Sequence, residues 1–350
     1  MKYSTLGSSG FDVSRICLGS MTWGIQNTQK EADEQIDFAL SQGVNFIDTA
    51  EMYPIPPNEP TYGDTERVIG NWIAKHPEKR QVIYIATKIA GAGLGYIRNA
   101  SMISQHSIPL AIDDSLARLN TDYIDVYQLH WPNRTSPHFG KHWPNTVKAT
   151  ETDVKDEVER KRGILIALKD AIDSGKIRHW GLSDDTPWGI HTYLRLCEEM
   201  GVPKPVSIQN EFSLVHLKDW PYLIESCVFE NIAYLPWSPL GGGMLSGKYL
   251  NNARPEGSRW TMVQRQGLFR DSEQSNQAIS SYCEIAKAHG ITPSQLALAW
   301  CNQVDGVCST IIGATTMAQL QENVAAFDIT LSQECLAQID KVLRQYPMAF

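Results

Sequence analysis

The sequence predicts an α/β protein: a single (β/α)8 TIM barrel with an N-terminal β-hairpin and an extra C-terminal helix. Three observations carry this. Short apolar runs of strand type alternate about eight times with longer segments of helical period. Several of the runs are nearly continuous in Val, Ile, Tyr and Phe, as parallel strands read when both faces are buried. The links between most of the runs are short, which favours repeated βα units closing into a barrel over a doubly wound sheet.

The strand expectations fall at residues 15–20, 44–50, 82–88, 123–130, 177–183, 205–212, 231–239 and 309–314. Between them, 31–42 carries Ile36, Ala39 and Leu40 on one helical face and ends at Gly43. Residues 64–75 carry Val68, Ile69 and Trp72, with Asp64 as the expected N-cap. Helices are also expected at 110–119 after Pro109, at 165–174 ending in Gly175, at 188–200 ending in Gly201, and at 276–289 ending in Gly290. Another, at 292–301, opens on Thr-Pro-Ser-Gln. Residues 3–13, turning at Gly7-Ser-Ser-Gly10, read as a hairpin plugging one barrel end, and 333–345 as a helix beyond the repeat. Two long loops, about 132–159 and 241–274, leave the C-terminal ends of the fourth and seventh strands, where barrel active sites sit. No linker divides the chain, so 1–350 is expected to be one domain.

Composition narrows the function. The net charge of −8 excludes a broad nucleic-acid-binding face, which needs a basic footprint. No run approaches the ~20 apolar residues that span a bilayer, and the first residues lack the apolar core of a signal peptide. A cytoplasmic protein without membrane or nucleic-acid partners is the expectation; the oligomeric state stays open. The seven cysteines are scattered, odd in number and without a C-x-x-C, so they read as reduced thiols. His138 and His142 have i, i+4 spacing but sit among Pro137, Gly140 and Pro144 with no third ligand, so no metal site is expected. Gly91-Ala-Gly-Leu-Gly95 fails the dinucleotide fingerprint, because Tyr96 fills the place of its last glycine. Residues 151–162 read as a solvated charge run. Trp131, Phe139 and Trp143 either line a substrate pocket or pack their own loop.

Polar residues end several of the apolar strands. Asp48 follows Phe46-Ile47, Tyr53 comes five residues later, Lys88 ends Ile85-Ala-Thr, and His130 follows Gln128-Leu129. In a parallel barrel these ends ring one mouth. A nearby ammonium lowers a tyrosine's pKa, so Lys88 is expected to make Tyr53 a usable general acid, with Asp48 as counter-charge. His130 would orient a substrate oxygen. This is equipment for protonating a carbonyl oxygen.

With these elements the chain resembles the aldo-keto reductases over nearly its whole length. The matching elements are Asp48-Thr-Ala-Glu-Met-Tyr53, Ile85-Ala-Thr-Lys88, Tyr127-Gln-Leu-His130-Trp-Pro, Gly181-Leu-Ser183, Trp237-Ser-Pro-Leu240 and Ile312-Gly-Ala-Thr315 followed by Gln319-Leu-Gln-Glu322-Asn323. Within the family the likeness runs to the Tas-like reductases of bacteria, through Ala50-Glu-Met-Tyr-Pro-Ile-Pro-Pro57 and Phe139-Gly-Lys141. The cofactor end is similar to the β-subunits of potassium channels.

The resemblance implies NADPH bound across the mouth, with NADH left open, and hydride transfer to a small-molecule aldehyde or ketone. It implies Tyr53 as acid, Lys88 and Asp48 as its tuning pair, and His130 as the orienting group, with Trp23 and Trp131 also by the substrate. Thr22 and Trp23 would lie near the nicotinamide, Ser183, Asp184 and Gln209 would serve its carboxamide, and Trp237 would stack on the ring. Ser238, Pro239, Leu240 and Gly241 would follow the pyrophosphate. Lys248 and Arg259 would reach the adenosine phosphates, with Gly313, Thr315 and Gln319 near the 2′-phosphate and Glu322 and Asn323 near the adenine. Two departures stand out. Asp184 replaces the family's usual Asn, and an ionised carboxylate cannot donate a hydrogen bond. Gly313 and Gln319 stand where a Lys and an Arg commonly hold the 2′-phosphate, so NADP preference rests on Lys248 and Arg259. Two readings from other classes remain: a lyase using Lys88 as a Schiff-base nucleophile, and a cofactor-sensing regulatory subunit with negligible turnover.

Overall fold

The computed structural model describes residues 1–141, 143–262 and 270–347. Eight parallel strands form one sheet: β3 (Ile16–Gly19), β4 (Phe46–Asp48), β5 (Tyr84–Ile89), β6 (Ile124–Leu129), β7 (Ile177–Ser183), β8 (Ser207–Glu211), β9 (Ala233–Trp237) and β10 (Thr310–Ile312). They follow one another in chain order, and β10 pairs with β3. The last seam is drawn together by Cys308, whose N–H donates to the Tyr234 carbonyl at 2.9 Å. All eight expected strands are present as a barrel.

The hairpin β1 (Tyr3–Thr5) and β2 (Asp12–Ser14) closes the end where the strands begin. Its Leu6 and Val13 pack with Cys17, Phe46, Ala86, Val126, Val206 and Leu235 in the lower barrel interior. Gly7 makes this fit possible. Its φ is +51°, and a Cβ there would lie 2.2 Å from the Val206 carbonyl oxygen.

The helices cover the outside: α1 (Gln29–Ser41), α2 (Asp64–Lys75), α3 (Ser107–Leu119), α4 (Glu151–Asp173), α5 (Pro187–Met200), α6 (Tyr222–Glu230), α7 (Glu273–Ala288), α8 (Pro293–Gln303), α9 (Met317–Ala325) and α10 (Gln333–Gln345). The main core lies between strands and helices, around Trp72, Trp180, Tyr127 and Ile36. Three expectations are corrected. The N-cap of α2 is Gly63 in a left-handed conformation, and Asp64 is the first helical residue. Helix α4 starts fourteen residues earlier than expected, on a capping box between Thr150 and Asp153. The loop after β6 is correspondingly shorter, and the 151–162 charge run is helix, with Glu157 and Lys161 buried rather than solvated. None of the described helices is long and apolar enough to cross a membrane.

Candidate active site

Residues two apart on a strand share a face. Asp48 thus shares the interior face with Phe46, Lys88 with Ala86, and Gln128 with Val126, one step above the apolar layer. This register carries the polar groups into the barrel mouth. Lys88 is 0% exposed and donates to Asp48 Oδ2 at 2.6 Å and to the Thr49 carbonyl at 2.8 Å. The second oxygen, Asp48 Oδ1, accepts from Gln209 at 2.8 Å and from Gln128 at 3.2 Å. Burial pushes the Lys88 ammonium down, but Asp48 and the Tyr53 phenol outweigh it, and the net direction is up. Lys88 is therefore a cation at neutral pH.

Tyr53 stands over this cation, with Lys88 Nζ 5.0 Å from its ring centroid. Its pKa moves up, not down as expected. Burial is the largest influence, and the pull of Lys88 only opposes it. The phenol therefore keeps its proton at neutral pH. His130 meets the Tyr53 ring edge-on, centroids 5.7 Å apart. Burial and then Lys88 depress its pKa well below the ordinary value, so the imidazole is neutral. Its Nδ1 is buried without a hydrogen-bond partner among the described residues.

Two supports were missed in the sequence. Gln128 lies within a motif already singled out, yet its role as a donor to Asp48 needed the barrel register. Glu51, 1% exposed, is gripped by both terminal guanidinium nitrogens of Arg98 at 2.6 Å and accepts from the Ala90 backbone N–H. This pair fixes the turn between Asp48 and Tyr53 against the loop after β5. Its signal was one acidic residue in an apolar strand-end motif.

The other expected residues spread across the same mouth. Ser183 ends β7, and Asp184, the next residue, takes a left-handed φ of +50°. Trp237 ends β9 and donates from its indole to Asp184 Oδ1 at 3.2 Å. Phe139 stacks on Trp237 at 5.9 Å. Ser238, Pro239 and Leu240 lead into a tight turn, Gly241–Ser246, where Gly241, Gly242 and Gly243 all have positive φ. Arg259 packs beside Gly242, and Lys248 beside Gly243. Across the mouth, Thr22 donates to Asn27, whose amide donates to the Thr315 carbonyl. Gln319 accepts from the Thr315 N–H and hydroxyl, Asn323 donates to the Gly313 carbonyl, and Glu322 accepts from Thr292.

Trp23 departs from expectation. It is 0% exposed in the main core, and its indole donates to Gln35 of α1 at 2.9 Å, so its side chain presents no open face to a substrate. Trp131 is half-buried, lies 4.9 Å from His130 and donates to the Ala92 carbonyl, resting on Gly91. His138 is buried against Asp184, not on the loop surface, and His142 lies outside the described residues.

The donor set suits a phosphorylated dinucleotide. Among the described residues, Arg259 and Lys248 have no carboxylate within ion-pair distance, and both flank a glycine turn whose backbone an anion can approach. Burial and the neighbouring Arg270 bring the Arg259 pKa down to about 10, against the opposing pull of Tyr249, Glu211 and Tyr53.

Residues 15–344 match the aldo/keto reductase family. The chain belongs to this family. This aldo-keto reductase is 40% identical over 352 residues to Protein tas of Escherichia coli (strain K12), covering 99% of each chain. It is 36% identical to the aldo-keto reductase of Babesia bovis, over 69% of this chain and 88% of that one. A probable voltage-gated potassium channel subunit beta of Arabidopsis thaliana is 30% identical over 99% of this chain and 98% of its own. As a member of the family, the protein is an NAD(P)H-dependent oxidoreductase acting in carbonyl reduction.

Proposed function

We propose that this aldo-keto reductase uses NADPH to reduce a small aldehyde or ketone to the alcohol, with Tyr53 as proton donor. The observation that carries this is Lys88, fully enclosed, paired with Asp48 at 2.6 Å and set 5.0 Å from the centroid of the Tyr53 ring. Tyr53 holds its proton until the carbonyl oxygen gains charge, and the phenolate left behind is then stabilised by the Lys88 cation. Neutral His130 donates a hydrogen bond that orients the same oxygen. When bound, the cofactor supplies the hydride. Trp237, Ser183, Asp184 and Gln209 would hold its nicotinamide end, the 238–243 turn its pyrophosphate, and Lys248 and Arg259 its adenosine phosphates. The same geometry counts against a Schiff-base lyase, since a nucleophilic lysine must be neutral and reachable, whereas Lys88 is charged and 0% exposed.

The test is a titration of tryptophan fluorescence with NADPH and NADH, joined to turnover with a panel of aldehydes and ketones. Tighter binding of NADPH with carbonyl-dependent oxidation supports the reading. Equal affinity removes the role given to Lys248 and Arg259, and binding of neither removes the cofactor.

A further inference from the structure

The loop after β6 places one buried histidine on the residue that departs from the family pattern. His138 is 8% exposed and Asp184 2%. His138 Nε2 lies 3.3 Å from the Asp185 carbonyl oxygen, and a carbonyl only accepts, so Nε2 carries a hydrogen. In a neutral imidazole the other nitrogen then presents a lone pair. That nitrogen, Nδ1, lies 3.6 Å from Asp184 Oδ1. An ionised Asp184 would set two lone pairs against each other in a buried place. The Trp237 indole approaches the same oxygen at 3.2 Å but does not remove that conflict. One proton between His138 and Asp184 does.

We infer that His138 is a positioning residue that keeps Asp184 neutral, so that the nicotinamide end of the pocket carries a protonated carboxyl in place of an anion. The inference rests on the cofactor reading above. The surroundings agree with it. Asp185 on the same turn, Glu211 at the end of β8 and Asp219 beyond it are acidic groups near the pair. Lys88, Arg134, Lys218 and His216 are the basic groups that face it from the other elements. Burial, followed by Glu211 and Asp219, drives Asp184 well above the ordinary aspartate value against the Trp237 hydrogen bond. Burial brings His138 down to about 4. Both directions put the shared proton on Asp184, facing His138 Nδ1 at 3.6 Å. Arg134, which donates to Asp185 and to Thr186 at 3.0 Å, pins the loop so that the imidazole stays in place.

The consequence is electrostatic. An oxidised nicotinamide is a cation and a reduced one is neutral. A neutral Asp184 does not favour the oxidised cofactor; an ionised one does. As pH rises and the pair loses its proton, affinity for NADP+ should gain on affinity for NADPH. In His138→Phe the proton loses the lone pair it faces, so this change should occur at lower pH. Between the pH at which the variant's Asp184 ionises and the higher pH at which that of wild type does, the variant should then favour NADP+ by roughly tenfold relative to wild type, the size of effect one charge exerts on another inside a protein. In Asp184→Asn the ratio of the two affinities should not vary with pH.

The experiment pairs two readouts. Carbon and nitrogen NMR of the protein without cofactor, with His138→Phe used for assignment, should show His138 neutral with its hydrogen on Nε2 at pH 7, and a protonated carboxyl lost in Asp184→Asn. Fluorescence titration of wild type, His138→Phe and Asp184→Asn with NADP+ and NADPH across pH then reads the cofactor ratio. A His138 that titrates at the ordinary value beside an ionised Asp184, or a ratio unaffected by His138→Phe, overturns the inference. If no variant binds either cofactor while the NMR signature persists, it is the cofactor reading that fails, and with it the role assigned to the pair.

Discussion

Replacing Lys88 by Met tests the buried pair that organises the mouth. The substitution keeps the length of the stem and removes the cation. It leaves Asp48, 2% exposed, with only the neutral donors Gln209 and Gln128 on Oδ1 and nothing on Oδ2 in place of a bond of 2.6 Å. It also strips the Thr49 carbonyl of its 2.8 Å donor. Breaking a buried pair from one side costs about 3–5 kcal/mol. Asp48→Asn should cost a similar amount, because it strands the ammonium instead. The double variant Asp48→Asn/Lys88→Met strands neither charge, so it should lose about 1–3 kcal/mol less than the sum of the singles. Urea denaturation of the four proteins, followed by circular dichroism, closes the cycle. Additive losses would refute the reasoning, since they would mean that the two charges do not depend on each other.

Four further outcomes follow from particular contacts. Gly7→Ala should destabilise the fold by about 3 kcal/mol or more, because the new Cβ meets the Val206 carbonyl oxygen and φ is +51°; thermal denaturation reads this, and cofactor affinity at the far end of the barrel should not change. Asp219, which accepts from Asn210 and Tyr234, has its pKa pushed up to about 6 by burial against those two bonds. The folded state then binds more protons than the unfolded one between the ordinary aspartate value and about 6, so its contribution is present at low pH and lost as pH rises through that window, by roughly 3 kcal/mol. Asp219→Asn should flatten this part of the stability–pH curve measured by urea denaturation. Arg259→Met should weaken NADPH binding by roughly 10–100-fold and NADH binding by less, as read by fluorescence titration, since a charge-assisted contact to phosphate is lost. Thr150→Ala should cost about 1 kcal/mol in thermal denaturation by removing the capping box of α4.

The strands were legible because a barrel strand is buried on both faces, and runs such as Ile232 to Leu235 have no polar side to confuse the period. The strand-end residues Asp48, Lys88 and His130 were legible for the same reason, as polar residues that a buried strand does not otherwise carry. The start of α4 was obscured by its composition. Glu157 and Lys161 look like surface charge in the sequence, and only the fold brings Asp185 and Arg134 to their side. The Thr150–Asp153 box was the available signal. Trp23 carried no local mark of its direction; its partner Gln35 is twelve residues on and set by how α1 packs. Tyr53 shows the limit of reading chemistry from residue types. A neighbouring ammonium was foreseeable, but the burial that outweighs it belongs to the folded mouth.

The most direct test of the account is a single turnover of bound NADPH with an aromatic aldehyde in wild type and in Tyr53→Phe, with NADPH affinity measured on both. Wild type should oxidise the cofactor and form the alcohol, whereas Tyr53→Phe should bind NADPH as tightly and transfer hydride roughly 100–10,000-fold more slowly. Unchanged transfer in Tyr53→Phe would contradict the assignment of Tyr53 as the proton donor.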